Sequence, residues 1–129
     1  TREAVGGLRQ RYEADTAAVG PLIDTLGALT QTAITALRDG DAPALGAAMN
    51  QGHAVLRELG LSLPVLDRLT DAARQAGALG AKLTGGGLGG CMIALADSAG
   101  TADRIRAALL AAGSPATWTY QMRISEVTE

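Results

Sequence analysis

Five glycines within six residues make up the segment of this chain best suited to chemistry. The segment runs Gly85, Gly86, Gly87, Leu88, Gly89, Gly90. Glycine lacks a Cβ, so its backbone can take positive φ and lie close to a ligand with several N–H groups converging on it. Converging N–H groups suit an anion, above all a phosphate. A tight hairpin turn needs only two such residues, so the run indicates an anion-binding loop, while a ligand-free glycine hairpin stays open.

Two common nucleotide-binding patterns do not fit this loop. Gly85, Gly87 and Gly90 match the spacing G-x-G-x-x-G. That fingerprint requires a helix directly after the loop, because the helix N-terminus holds the pyrophosphate. Here a continuous apolar run of strand length, Cys91 to Ala96, follows instead. A P-loop would end in Gly-Lys-Ser or Gly-Lys-Thr, which this segment lacks, so the pattern predicts strand, loop and strand.

The other residues with chemical potential occur singly. Lys82, the only lysine, adjoins the loop and points either to a phosphate or to solvent. His53 is the only histidine and cannot assemble a metal site alone, so a structural hydrogen bond is favoured over catalysis. Cys91 begins an apolar strand and is expected to be a buried, inert small hydrophobe. No metal site is predicted within this chain.

Five helices are predicted to position the loop, from apolar spacings of three and four residues and from residues that start or stop helices. The first helix covers about residues 2–14, and the second begins near Pro21 and ends at Gly40. The third begins after its cap Asp41 and ends at Gly60, and the fourth begins after its cap Ser62 and ends at Gly77. The fifth covers 101–112, with Thr101 as cap and Gly113 as terminator. The first helix is expected to bury Val5, Leu8 and Tyr12.

Three strands are predicted, at about Gly80–Thr84, Cys91–Ala96 and Thr117–Arg123. The last strand places Trp118 and Tyr120 on one face, so both are expected in the core or in an interface. Four helices followed by strand, strand, helix and strand favour an α+β fold, with the helices on one face of an antiparallel sheet.

The composition places the chain among single-domain globular proteins. Its 129 residues suffice for one core, with 47% hydrophobic and 19% charged residues. A net charge of −2 leaves no basic surface for nucleic acid, and no apolar run is long enough to span a membrane. A single cysteine cannot form an internal disulfide, which favours a cytoplasmic protein. The chain begins at Thr1 without an initiator methionine, so we expect it to be part of a longer protein.

The segment Ala81 to Cys91, AKLTGGGLGGC, resembles the third conserved motif of the GHMP kinases, a superfamily of small-molecule kinases. Three further segments are similar to the mevalonate kinase family within it, and together they extend over nearly the whole chain. These segments are Thr1 to Arg9, Met49 to His53 with the following Leu56, Leu59-Gly60 and Pro64 to Asp67, and Thr117-Trp118.

This resemblance implies that residues 1–129 form the C-terminal domain of a kinase, a ferredoxin-like two-layer sandwich without the N-terminal ATP-binding domain. It implies transfer of the ATP γ-phosphate to the primary hydroxyl of mevalonate, with Mg²⁺, in isoprenoid synthesis. The N-terminal domain would supply the metal ligands and the catalytic Asp and Lys. Gly85 to Gly90, beside Thr84, would support the phosphates and line the acceptor site. Thr1 matches a residue near the mevalonate pocket, and the chain alone is expected to be inactive.

Three other functions remain open at this point. Galactokinase and phosphomevalonate kinase share the glycine motif, so the motif alone does not select the acceptor. A free-standing module with a ferredoxin-like core could instead hold a small anion in the loop. An interaction domain is the third alternative, because three strands leave an exposed sheet edge for a partner or for a second copy in a homodimer.

Overall fold

The computed structural model describes residues 2–85 and 90–122. Within them the elements are, in order, α1 (Arg2–Ala14), α2 (Thr16–Asp39), α3 (Ala42–Glu58), α4 (Pro64–Gln75), β1 (Gly80–Thr84), β2 (Cys91–Leu95) and α5 (Ala99–Ala111). The helices pack on a two-stranded antiparallel sheet, which confirms the predicted α+β class. None of the described helices is long and apolar enough to cross a membrane.

Glycines end four of the helices as predicted. Gly40, Gly60, Gly77 and Gly113 have φ values of 67°, 77°, 111° and 106°. Residues with a Cβ rarely adopt this left-handed region, so glycine is the natural residue just beyond a helix. The predicted cap of α3 is also present, because the Asp41 carboxylate accepts a hydrogen bond from the backbone N–H of Ala44 at 3.1 Å.

The predicted starts of α2 and α5 are wrong, and α4 begins at Pro64, close to its predicted start, but with Leu63 rather than Ser62 as its N-cap residue. α2 begins five residues before Pro21, because the carboxylate of Asp15 accepts from the Ala18 N–H at 3.1 Å and caps the helix there. Pro21 therefore lies inside α2 rather than opening it. A short side-chain acceptor beside the first free N–H groups is a stronger start signal than a proline that only tolerates a first-turn position.

The N-caps of α4 and α5 also differ from the predictions. Leu63 is the N-cap residue of α4 and makes no capping bond, while the predicted cap Ser62 hydrogen-bonds the side chain of Asp67. α5 is capped by Ser98, whose hydroxyl accepts from the Thr101 N–H at 3.2 Å. Thr101, the predicted cap, is instead buried in the first turn of α5.

Two hydrophobic clusters form the core. The first joins α1, α2 and α3, and its buried members are Ala4, Val19, Val55, Leu59 and Leu61. The second lies between β1, α4 and α5, and its buried members are Leu69, Ala73, Ala81, Ile105 and Leu109. The core therefore continues beneath only one face of the sheet.

The buried face of α1 differs in part from the prediction. Ala4 is buried and Leu8 packs against the first cluster, whereas Val5 and Tyr12 are 58% and 41% exposed. Ala4 and Leu8 are four residues apart and share one helix face. Ala4 has a small side chain and packs against residues of α2 and α3. A prediction based on large apolar residues does not include it.

The predicted third strand is not formed within the described residues, because 117–122 have no regular secondary structure. Trp118 and Tyr120 are 87% and 78% exposed, so neither lies in the core of this chain. High β propensity does not make a strand unless a neighbouring backbone pairs with it. The described sheet holds only β1 and β2, joined in a register that pairs Thr84 with Cys91 and Gly80 with Leu95.

The expectation that Cys91 is buried is also wrong. Cys91 is exposed, and Ile93, two residues further along the same face of β2, is 47% exposed. The intervening Met92 and Ala94 pack against the second cluster. β2 is apolar throughout, yet it buries only the face that meets the helices.

The backbone at the start of β1 contacts the backbone of α3 near Gly46. A Cβ built on Gly46 of α3 would overlap the carbonyl oxygen of Leu79, and one built on Gly80 would overlap that of Gly46. Only two glycines allow the two backbones to approach this closely. The contact brings the later residues of α3 alongside β1 and thereby toward the loop.

Candidate phosphate-binding hairpin

The glycine segment is the loop of the β1–β2 hairpin, as predicted. Thr84 and Cys91 form the last pair of the ladder, and both are exposed. Gly85 and Gly90, the first and last residues of the loop, have φ values of 89° and 88°. Gly86, Gly87, Leu88 and Gly89, also proposed as site residues, lie outside the described residues. At its described ends, the loop thus has a backbone conformation that requires glycine.

Neither described end of the loop packs tightly against the described residues. Among those residues, a Cβ built on Gly85 would meet nothing within 4 Å, and one built on Gly90 would come no closer than 3.8 Å to the carbonyl oxygen of Thr84. Gly85 and Gly90 are therefore required for conformation rather than for close packing against the described residues. An exposed backbone with positive φ at both ends can turn N–H groups toward an anion.

Lys82 lies on β1, on the same face as Thr84, and pairs across the hairpin with Ile93. Its side chain is half-buried, and the amine lies 4.0 Å from the position that a Cβ on Gly52 would take. Lys82 therefore extends toward α3, neither fully to solvent nor along the strand to the loop. Among the described residues, no carboxylate lies within 4.0 Å of its amine.

Side chains of α3 bind the edge of β1 that does not pair with β2. The Asn50 side-chain oxygen accepts from the Ala81 N–H at 2.9 Å, and Nδ1 of His53 accepts from the Leu83 N–H at 3.1 Å. The Asn50 amide also donates to the Leu79 carbonyl at 3.4 Å. The sequence analysis assigned no role to Asn50. Its spacing of three residues from His53, which places both on one helix face, is a signal that could have indicated it.

His53 is 2% exposed and joins three elements. Because its Nδ1 accepts from Leu83, the ring proton lies on Nε2, which donates to the Asp67 carboxylate at 2.9 Å. Asp67 also accepts from the Ser62 hydroxyl at 2.7 Å and lies 3.4 Å from the Arg57 guanidinium. His53 thus makes the kind of structural hydrogen bond that the sequence favoured, linking α3 to β1 and to α4.

The surroundings of Asp67 act on its pKa in opposite directions. Burial raises the pKa, whereas the hydrogen bonds from Ser62 and His53 and the positive charge of Arg57 lower it. The lowering effects prevail, so the pKa of Asp67 lies below its usual value of 3.8. Ionised Asp67 therefore stabilises the folded chain.

We expect an Asp67→Asn chain to lose about 1–2 kcal/mol of its free energy of unfolding at pH 7, because two hydrogen bonds to a carboxylate weaken. The contribution of ionised Asp67 is complete above pH 3.8 and is lost as the pH falls through its lower folded-state pKa. Urea unfolding from pH 7 to pH 2.5 should therefore show the two chains converging in acid. Asp71→Asn is the control, since Asp71 is 59% exposed and, among the described residues, forms an ion pair only with Arg74. A deficit that persists unchanged in acid would contradict the prediction.

Two further expectations concern the substrate pocket and metal binding. Thr1, proposed for a substrate pocket, lies outside the described residues. Among residues 2–85 and 90–122, no three His, Cys, Asp or Glu side chains are grouped as metal ligands. The described part of the chain therefore offers an anion an exposed glycine backbone at the ends of the loop, and it presents no group of ligands for a magnesium ion.

Known proteins match this chain in both sequence and fold. A family model described as "GHMP kinases C terminal" matches residues 33–115. The chain is 39% identical to the mevalonate kinase of Pyrococcus abyssi in an alignment that covers 100% of this chain and 41% of that protein. It is 41% identical to the mevalonate kinase of Pyrococcus furiosus, over 74% of this chain and 30% of that protein. The chain thus spans less than half the length of these curated relatives.

Other matches are shorter or more distant. The galactokinase of Streptomyces coelicolor is 47% identical, over 52% of this chain and 18% of that protein. The crystal structure of L. major mevalonate kinase in complex with R-mevalonate superimposes with a TM-score of 0.82 at 33% identity, covering 85% of this chain and 34% of that one. A Listeria innocua protein superimposes with a TM-score of 0.81 at 20% identity, covering 86% of this chain and 33% of that one, which is a likeness of fold alone.

Proposed function

Because the chain belongs to the GHMP kinase family, whose C-terminal region it matches, we propose that it is the C-terminal domain of a mevalonate kinase. The proposed reaction moves the γ-phosphate of ATP to the primary hydroxyl of mevalonate. The observation that carries the proposal is the extent of the match, which reaches 100% of this chain for a mevalonate kinase and 52% for a galactokinase. Similarity beyond the shared glycine motif supports mevalonate as the acceptor.

In this proposal the loop from Gly85 to Gly90 holds the ATP phosphates and lines the acceptor site, with Thr84 beside it. Positive φ at Gly85 and Gly90 supports the assignment, because such backbone geometry turns successive N–H groups toward an anion. Phosphoryl transfer depends mainly on alignment and charge stabilisation, so a fixed row of N–H donors helps to hold the reactants in line. Lys82 lies on the same face of β1 as Thr84 and no described carboxylate neutralises it, but its amine extends toward α3, so the assignment depends on the backbone of the loop.

The remaining parts of the reaction are assigned to an N-terminal domain outside this chain. Magnesium, when bound, supplies the charge that neutralises the phosphates. The described residues present no cluster of ligands for it. We therefore assign the metal ligands, the catalytic Asp and Lys and the main phosphate loop to that domain. No catalytic residue is proposed in this chain, and we propose a cytoplasmic location for the enzyme.

The proposed function is tested by ADP release from the full-length parent protein with Mg-ATP. Mevalonate, phosphomevalonate, galactose and homoserine are offered in parallel, and turnover is expected with mevalonate alone. Turnover with another acceptor would retain the loop's role but contradict the proposed substrate. Absence of turnover with all four would favour a small-anion-binding module.

We expect the 129-residue chain alone to release no ADP in the same assay, because it lacks both a metal site among its described residues and the assigned catalytic groups. The parent protein, assayed in the same buffer at the same molar concentration, is the positive control. Mevalonate-dependent ADP release by the chain alone would contradict the division of labour between the two domains.

A further inference from the structure

We propose that His53 is a positioning residue for the glycine loop and acts through the backbone N–H of Leu83. The inference deepens the proposed function and rests on it, because it assigns to a buried side chain the task of fixing where the phosphate-binding loop begins. Leu83 is two residues before Gly85, the first residue of the loop. The contact between His53 and Leu83 joins a buried imidazole to a buried strand residue at 3.1 Å.

The position of the contact along β1 supports this role. Asn50 holds the Ala81 N–H and His53 holds the Leu83 N–H, so His53 is the α3 contact nearer to the loop. β1 is thus bound by β2 on one edge and by α3 side chains on the other. Beyond Leu83, Thr84 is exposed, and no described atom lies within 4 Å of a Cβ built on Gly85. The position at which the loop begins therefore depends on Leu83, the last buried residue before it.

A second hydrogen bond, at Nε2 of the imidazole, fixes the orientation of the ring. Nε2 of His53 donates to Asp67 on α4, and Asp67 is held in turn by Ser62 and Arg57. The ring consequently cannot rotate without breaking a hydrogen bond at each end. Loss of the Nδ1 acceptor would leave the Leu83 N–H buried without a partner, and β1 would have to shift until that group met water. Such a shift would move Gly85 directly.

Two substitutions separate the two ends of the imidazole. In His53→Asn the side-chain oxygen lies near the former position of Nδ1, so it can still accept from Leu83 but no longer reaches Asp67. In His53→Gln the terminal amide lies near the former position of Nε2, so it still donates to Asp67 but offers Leu83 no acceptor. The two variants are matched controls for each other, because each deletes one of the two hydrogen bonds.

The experiment uses the full-length parent protein, well below the unfolding midpoint of each variant. For His53→Gln we expect kcat/KM for ATP to fall about tenfold or more, with a raised KM, because the loop is misplaced relative to the phosphates. Amide hydrogen exchange in the peptide that spans residues 83–90 should become about tenfold faster. For His53→Asn we expect KM for ATP and exchange in that peptide to remain near the parent values.

The readouts distinguish positioning from mere stability. A purely structural role would lower the active fraction and hence kcat, but it would leave KM unchanged in both variants, and that result would overturn the proposal. Equal loss in both variants would overturn it as well. If His53→Gln does not fold, the test depends on His53→Asn. Faster amide hydrogen exchange at residues 83–90 in His53→Asn than in the parent would then contradict the proposal. If the parent transfers no phosphate to any acceptor, the proposed function fails while the exchange comparison still decides the role of His53.

Discussion

Replacing Gly46 with alanine is expected to cost the chain at least about 2 kcal/mol of its free energy of unfolding. The added methyl group would overlap the carbonyl oxygen of Leu79, and its nearest neighbours are backbone atoms, which cannot rotate aside as a side chain can. Alanine is more favourable than glycine in a helix by up to ~1 kcal/mol. The expected net loss therefore requires that the steric overlap cost more than this gain. We expect α3 and the start of β1 to move apart around Gly46 and Gly80 in the variant.

The matched control is Gly27→Ala in the interior of α2. A Cβ on Gly27 meets nothing within 4 Å, so this change brings the gain in helix propensity without a clash. We expect it to raise the free energy of unfolding by up to about 1 kcal/mol. Urea unfolding of both variants and the wild-type chain measures the opposite signs. If Gly46→Ala stabilised the chain as Gly27→Ala does, the close contact between α3 and β1 would be refuted.

Replacing Gly85 with alanine in the full-length parent is expected to reduce kcat/KM for ATP by about 100-fold. No described atom obstructs the new methyl group, so the effect is expected to come from the backbone, whose φ of 89° is one that alanine rarely adopts. When the residue relaxes to negative φ, the N–H groups that follow it change direction. The phosphates would then lose aligned donors, while the packed core keeps its contacts.

Gly113→Ala serves as the control for backbone strain. Gly113 has a φ of 106° and ends α5 rather than the hairpin, and a Cβ added to it would meet no described atom within 4 Å. Both substitutions should therefore cost similar stability, about 1–2 kcal/mol, but only Gly85→Ala should impair phosphate transfer. Steady-state kinetics with ATP as the varied substrate, together with thermal unfolding of both variants, makes the comparison. Equal kinetic losses would remove the support for Gly85 as a site residue.

Local chemistry made much of the fold predictable. Glycine stops after α2, α3, α4 and α5, the Asp41 cap and the strand–loop–strand around the glycines all follow from backbone preferences that act over a few residues. Helix starts were harder, because several residues compete to cap the same helix. Asp15 prevailed over Pro21, and Ser98 over Thr101, since the capping acceptor must reach a particular free N–H group.

The rest depended on contacts between distant parts of the chain. Asn50 reaches Ala81, 31 residues away, and nothing near Asn50 in the sequence announces that partner. Exposure of Cys91 follows from which face of β2 meets the helices, and an all-apolar strand does not encode this choice. Trp118 is exposed because residues 117–122 have no strand partner within the described chain. The candidate loop was predicted by its glycines, whereas the His53 contact that holds β1 beside it emerged only from the fold.

The side chains of Asn50 and His53 also determine how the sheet can grow. By bonding to the N–H groups of Ala81 and Leu83, they occupy the backbone sites that an incoming strand would need on the outer edge of β1. α3 therefore protects that edge from the uncontrolled pairing that leads to aggregation. Any strand that extends this sheet must add beside β2, so the hairpin has one closed edge and one direction of growth.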